Sequence, residues 1–187
     1  MPWHGPTHLP GSHTRAGNAM GRTRLGLLTG AARAFAQHGL RRSTMQSVAA
    51  AAGVAKATLY NHFRTKDDVA TALLGLELDR LTTLAAGLPL EQALATLSDE
   101  LGAHPVLRRL AETEPDALLA LLAVGTDRWA ELTGLLTSAF RVDADGAEIL
   151  AHWLLGVVLQ PGRSSTRHRQ AARLAAAMRT TGAATPA

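Results

Sequence analysis

Apolar residues along this chain recur at intervals of three and four, the repeat of a helix face, and no stretch alternates as a strand would. The spacing predicts a first helix over about 23–38, with Leu27, Leu28, Ala31, Ala34 and Phe35 on one face and Gly39 as its stop. A short helix over 44–52 carries Met45, Val48, Ala49 and Ala52 and ends at Gly53; another covers 55–61. Thr65 followed by Asp68 has the spacing of a capping box and opens a long helix to about residue 86, where Gly87 and Pro89 break it. Further helices are expected over 90–103, then, beyond a turn at 105–111, over 115–140, 143–159 and 165–178. The 115–140 element is about 35 Å long at 1.5 Å per residue. The pattern defines an all-α chain of about nine helices.

Composition supports that picture and narrows it. Apolar residues make up 47% of the chain, enough for a real core and too much for a disordered polymer. Leu and Ala dominate, and both enter helices at little entropic cost. There is no cysteine, so disulfides, thiolate metal sites and thiol nucleophiles are excluded, and a reducing cytoplasm is the expected location. No 18-residue apolar run suggests a membrane span. Residues 1–20, rich in Pro, Gly, His and Thr, lack the apolar centre of a secretory signal and are expected to form a disordered arm, matched by a disordered tail at 181–187.

Charge divides the chain sharply. Residues 1–66 hold nine Lys and Arg, including both lysines of the chain, and no acid; from Asp67 onward ten Arg face fifteen acids. A basic N-terminal third on an acidic body is the layout of a polyanion-binding module joined to a different domain. The expected domains are therefore 21–66 for nucleic-acid binding and 67–180 for a helical body.

The chemistry of the first domain lies between Gly39 and Asp68. Two short helices meet at the Ala52-Gly53-Val54 turn, where Gly53 can adopt the left-handed conformation of a tight interhelical corner. Such a helix-turn-helix presents its second helix to the DNA major groove. Lys56, Thr58, Tyr60, Asn61 and His62 cluster on or after that second helix, and Thr44 and Lys66 sit at flanking helix N-termini, where backbone amides favour phosphate. The run from Leu27 to Leu73, with AARAFAQHGLRRSTMQSVAAAAGVAKATLYNHFRTKDDVATAL as its greater part, resembles the DNA-binding domain of the TetR family over roughly a quarter of the chain. The matching features are Phe35, Gly39, Thr44, Val48-Ala49, Ala52-Gly53-Val54, Lys56, Thr58-Leu59-Tyr60, His62-Phe63 and Lys66, without a gap.

The resemblance implies roles for these residues. Thr44 caps the second helix and touches a phosphate, while Lys56 and Thr58 stand near base edges or the adjoining backbone. Tyr60 and Lys66 contact phosphates, His62 lies on the groove wall, and Phe35 and Phe63 belong to the core. Three departures from the family pattern are notable. Ala55 replaces a usual Ser cap, at about 1 kcal/mol; Ser47 replaces a usual acid of the capping box; and Gly30 interrupts the first helix, at up to about 1 kcal/mol. Together they predict a locally soft DNA-binding domain.

For the body the resemblance implies a homodimer and a small-molecule effector, and the DNA partner becomes a double-stranded palindromic operator, with repression as the family default. Ala147, Leu150, Ala151, Leu154, Ala172 and Leu174 are the expected dimer-interface residues, a mix of large and small side chains suited to close helix packing. An effector pocket would be apolar with a few polar groups. His104, Arg108, Asp127, Trp129, His152 and Trp153 carry the body's distinctive chemistry and are the expected ligand residues, for a mostly hydrophobic effector. A helical dimer acting through protein partners, without effector control, is the competing reading. No enzyme is expected: there is no phosphate-binding glycine loop, GxSxG, HExxH or framed pair of carboxylates. Neither a cofactor nor a built metal site is expected, since His4, His8 and His13 fall in the Pro- and Gly-rich arm.

Overall fold

The computed structural model describes residues 13–123 and 125–182, with side chains placed for 23–123 and 125–179. Ten helices follow one another among the described residues, without a strand: α1 (His13–Arg42), α2 (Met45–Ala52), α3 (Lys56–Tyr60), α4 (Lys66–Ala85), α5 (Leu90–Ala103), α6 (Pro105–Thr113), α7 (Pro115–Leu122), α8 (Thr126–Phe140), α9 (Ala144–Leu159) and α10 (Ser164–Gly182). The expected all-α class and N-terminal helix-turn-helix are both present. Residues 13–20, expected in the arm, are helical in backbone, and α10 reaches into the expected tail; 1–12, with His4 and His8, and 183–187 lie outside the described residues.

Two differences from the predicted elements have physical causes. The segment at 105–111 is a helix, not a turn: Pro105 occupies its first turn, and His104 caps it by accepting the Leu107 amide at Nδ1, 3.3 Å. The expected long helix over 115–140 is two helices, α7 ending at Leu122 and α8 beginning at Thr126. At 100° per residue Leu118, Leu122, Leu132 and Leu136 all fall within about 80° of one another, on one face of a continuous helix. A straight helix would carry Leu118 and Leu136 about 27 Å apart along that face, at 1.5 Å per residue. Breaking the chain lets Leu118 join the core around Phe35, while Leu136 joins a second core with Leu94, Leu150 and Ala171.

The first core crosses the predicted domain boundary. Leu27, Phe35, Val48, Leu59 and Val69 pack in one cluster with Val106, Leu110 and Leu118 of α6 and α7. The basic three-helix unit therefore rests directly on the body. Glu114, buried at the α6–α7 corner, accepts the Arg41 amide at 2.9 Å, and Arg41 forms an ion pair with Asp116. At this contact Gly39 (φ 77°, ψ 173°) ends the regular part of α1, and a Cβ there would strike the Glu114 carboxylate.

Gly30 acquires a reason that its helix propensity hid. A Cβ on it would lie 2.4 Å from the Ala52 Cα and 2.5 Å from its backbone nitrogen. This is the crossing point of α1 and α2, and only a hydrogen fits between the two backbones. The glycine is thus a packing device, not a soft spot.

Candidate nucleic-acid interface and apolar cavity

The helix-turn-helix is built from its caps inward. Thr44 Oγ1 accepts the Ser47 amide at 3.1 Å, and Ser47 Oγ accepts the Thr44 amide at 2.9 Å, so the serine completes the capping box in place of an acid. The departure from an acid therefore keeps both bonds of the box. Gly53 (φ 70°, ψ 29°) ends α2 in the left-handed conformation, its amide returning to Ala49 and Ala50 carbonyls. Val48 and Leu59, both fully buried, pin α3 beneath this corner. Ala55 makes no side-chain cap, as expected, and α3 is only five residues long. Its orientation depends on Leu59 and Phe63 packing into the core.

On the outer side of α3, Lys56 and Tyr60 are both exposed, with the Lys56 ammonium 5.5 Å from the centre of the Tyr60 ring. The phenol ring and the ammonium therefore stand together on the solvent face. Asn61 is exposed at the C-terminal end, while Thr58 and His62 are half-buried. Thr65 Oγ1 and the Asp68 carboxylate complete the predicted capping box of α4, both bonds at 3.0 Å. Lys66, half-buried at the first residue of α4, donates to the Arg41 carbonyl at 3.3 Å and ties α4 to the end of α1. The seven predicted DNA-contact residues thus lie on one continuous segment, five of them on α3 or just after it. Phe35 and Phe63 are in the core, and Arg24 lies 5.2 Å over the Phe63 ring.

The predicted effector residues are scattered. Arg108 is exposed and paired with Glu112, and Asp127 is exposed in the first turn of α8. Trp129 donates to Glu148 at 3.3 Å and stacks obliquely on the exposed His152, centroids 4.8 Å apart. Trp153 donates to Gln170 at 3.1 Å. Trp129, His152 and Trp153 tie α8, α9 and α10 together at the surface, and none of the five lines the cavity of the body. Only His104 lies close to it.

That cavity, about 140 Å³, lies between α4, α5, α8 and α9, walled mainly by leucines such as Leu74, Leu78, Leu101, Leu132 and Leu154. Glu77 is its single charged lining residue, and Thr82 its one other polar one. Glu77 also faces an adjoining polar cleft with Arg80, Glu100 and His104. Arg80 donates to Glu77 and to Glu100, each at 2.6 Å, and the two carboxylates raise its pKa further above an already high value. Burial pushes the His104 pKa below its ordinary value, against the pull of Glu77, whose Oε1 lies 3.7 Å from its Nε2. Isolated leucines give no sequence cue to a cavity, because they look the same when they fill space. Glu77, a lone charge inside Leu73-Leu74-Gly75-Leu76-Glu77-Leu78, was the available sign.

The predicted interface residues need correction. Ala147, Leu150 and Ala151 are fully buried in the protomer's own second core, so they have no surface to offer a partner. Leu154, Ala172 and Leu174 are half-buried, and Leu154 and Leu174 pack on that same core. The outward face of α9 is carried instead by Ile149, His152, Gly156 and Leu159. Behind it, Asp99 on α5 clamps the start of α10, accepting from Ser164 (2.6 Å), Arg167 (2.8 Å) and His168 (2.6 Å). Burial alone would raise the Asp99 pKa, but these hydrogen bonds outweigh it and hold the carboxyl below its ordinary value. Arg167, itself buried, also donates to the Pro161 and Gly162 carbonyls.

An acid-free helix-turn-helix seated on an all-helical body is the architecture of a helix-turn-helix DNA-binding regulator. The domain is of the TetR type: residues 27–73 match the family model of the bacterial regulatory proteins, tetR family, and the fold of the chain is that of the family's regulators. The structure is similar to that of the TetR family repressor AlkX from Dietzia sp. strain DQ12-45-1b, at 19% identity and a TM-score of 0.63 over 84% of this chain and 95% of that one. It is similar to a TetR-family transcriptional regulator from Pectobacterium atrosepticum (16% identity, TM-score 0.61, 88% and 94% covered). It is also similar to the fatty acid degradation regulator FadR from Bacillus halodurans (19% identity, TM-score 0.56, 82% and 94% covered). No curated protein sequence matches the chain. Among the described residues no helix is long and apolar enough to cross a membrane.

Proposed function

We propose that this protein is a homodimeric transcriptional repressor that binds a palindromic operator and is released by a small, mostly hydrophobic effector. The observation that carries the DNA-binding part is the exposed Lys56–Tyr60 pair on α3, presented by a capped and buried scaffold inside an acid-free segment. Lys56 and Thr58 read base edges or the neighbouring backbone, with Asn61 and His62 on the groove wall; Thr44, Tyr60 and Lys66 hold phosphates. Residues 21–66 form the DNA-binding domain and 67–180 the effector and dimerisation domain, working in the cytoplasm where the operator is.

One α3 spans too few base pairs for useful specificity, so a two-fold dimer presents two of them about 34 Å apart or a multiple of it. The outward face of α9, with Ile149 about half exposed, is the dimer seam. The apolar cavity is the effector site, and its lining by α4 supports the route: α4 starts at Lys66, so a ligand that favours one setting of α4 changes the spacing of the two α3 helices.

The test is a gel-shift titration of the full chain against the DNA upstream of its own gene, with excess competitor at moderate salt. A specific complex with the stoichiometry of two chains per site is expected, lost on Ile149→Glu together with the dimer in size-exclusion chromatography. Binding no tighter than to competitor DNA overturns the reading.

A further inference from the structure

The polar atoms of the cavity share one property: they accept. The Thr82 hydroxyl already donates to the Leu78 carbonyl at 2.8 Å, leaving lone pairs only. Glu77 offers a carboxylate whose Oε1 takes two Arg80 bonds, at 3.0 and 2.6 Å, while Oε2 takes one at 3.1 Å and keeps capacity to spare.

The charge of the adjoining cleft points the same way. His104 accepts the Leu107 amide at Nδ1, which leaves its proton on Nε2 and its ring neutral. Burial favours that neutral form as well. Arg80 is then one cation between the carboxylates of Glu77 and Glu100, so the cluster carries one net negative charge. An anionic head entering from the cavity meets the like charge of Glu77, and neither polar residue of the cavity lining has a proton to give it. A cationic or neutral donor meets a partly free carboxylate in an apolar wall, where such a bond is strongest.

Size sets the other limit. An apolar cavity of about 150 Å³ accommodates benzene, so 140 Å³ suits a ring or a short chain of about six carbons.

We infer that the cavity takes a compact apolar ligand bearing one hydrogen-bond-donating head, an amine in preference to an acid, with Glu77 as the residue that selects it. The inference rests on the cavity being the effector site and specifies what that site accepts.

The test uses n-hexylamine, n-hexanol and n-hexanoate, titrated calorimetrically into the full chain at pH 7.5. Hexylamine is expected to bind about tenfold or more tightly than hexanoate, with hexanol between, because a hydrogen bond to a charged group exceeds a neutral one by about that factor. Glu77→Gln is expected to weaken hexylamine about tenfold and hexanol by less than about threefold. Glu100→Gln, which keeps Glu77, retains the order, and Ala139→Phe, which fills the cavity, removes binding of both. Hexanoate binding first, equal affinities, no binding by any member, or a hexylamine affinity unchanged in Glu77→Gln overturns the inference. If Glu77→Gln does not fold, the order on the unmodified chain and its loss in Ala139→Phe still decide. The operator complex separates this from the function itself. Release by hexanoate alone sinks the ligand class and leaves effector control standing; binding of hexylamine without release does the reverse.

Discussion

Replacing Gly30 by Ala sets helix propensity against packing. Propensity alone predicts a gain, since Gly in a helix interior costs up to about 1 kcal/mol relative to Ala. The structure predicts the opposite. The added Cβ lies 2.4 Å from the Ala52 Cα and 2.5 Å from both its nitrogen and its Cβ, whereas carbon atoms rest about 3.5–4.0 Å apart. Relief requires α1 and α2 to part by about 1 Å or more, because the obstacle is backbone and has no rotamer to change. Overpacking of this kind costs about 1–3 kcal/mol, and parting the helices loosens Leu27, Ala31 and Ala34 from Val48 and Ala49 as well. A net loss of about 2 kcal/mol is expected, which lowers Tm by about 4–8 °C for a chain of this size. Thermal and urea unfolding followed by circular dichroism measure it. Adding Ala52→Gly removes one of the three obstructing atoms and leaves Cα and nitrogen in place, so rescue should be incomplete. A Gly30→Ala protein as stable as the parent, or full rescue in the double variant, would refute the close crossing of the two backbones.

Four further outcomes are expected. Lys66→Ala should lower the slope of log binding constant against log salt by about 0.9, measured by fluorescence anisotropy on operator DNA; an unchanged slope removes Lys66 from the phosphate contacts. Arg167→Met keeps most of the apolar stem but loses the bonds to Asp99 and two carbonyls, and should cost about 2 kcal/mol in urea unfolding. Because the Asp99 carboxyl is held below its ordinary value, its contribution is present above the unfolded pKa and lost as pH falls through the folded one. Asp99→Asn should therefore destabilise near neutrality and flatten the acid limb below about pH 4. His104 has the same sign in a higher window: its folded pKa lies below 6.5, so the unfolded chain binds more protons there and stability falls as pH drops below 6.5. His104→Asn, which can still cap α6, should remove that part of the slope in denaturation profiles between pH 7 and 5; identical profiles for the two proteins would exclude it.

The sequence by itself determined what depends on neighbours along the chain. The Thr44 and Thr65 caps, the left-handed Gly53 corner and the acid-free run to Lys66 are all local, and the caps and the corner appear where the pattern put them. The DNA-facing segment is legible for the same reason, since α3 and its flanks are contiguous. Packing between distant segments decided the rest. Leu118–Leu122 and Leu132–Leu136 share one helical face along the sequence, and the helix is interrupted between them because two separate cores claim them. Gly30 reads as a helix defect until Ala52 arrives beside it, and Ser47 reads as a missing acid until its hydroxyl meets the Thr44 amide. The predicted ligand set favoured rare aromatic and charged residues, yet the cavity is a gap between common leucines from six helices, and a gap has no local pattern. Likewise Ala147, Leu150 and Ala151 show an apolar face without showing what covers it; the protomer's own α5, α8 and α10 do.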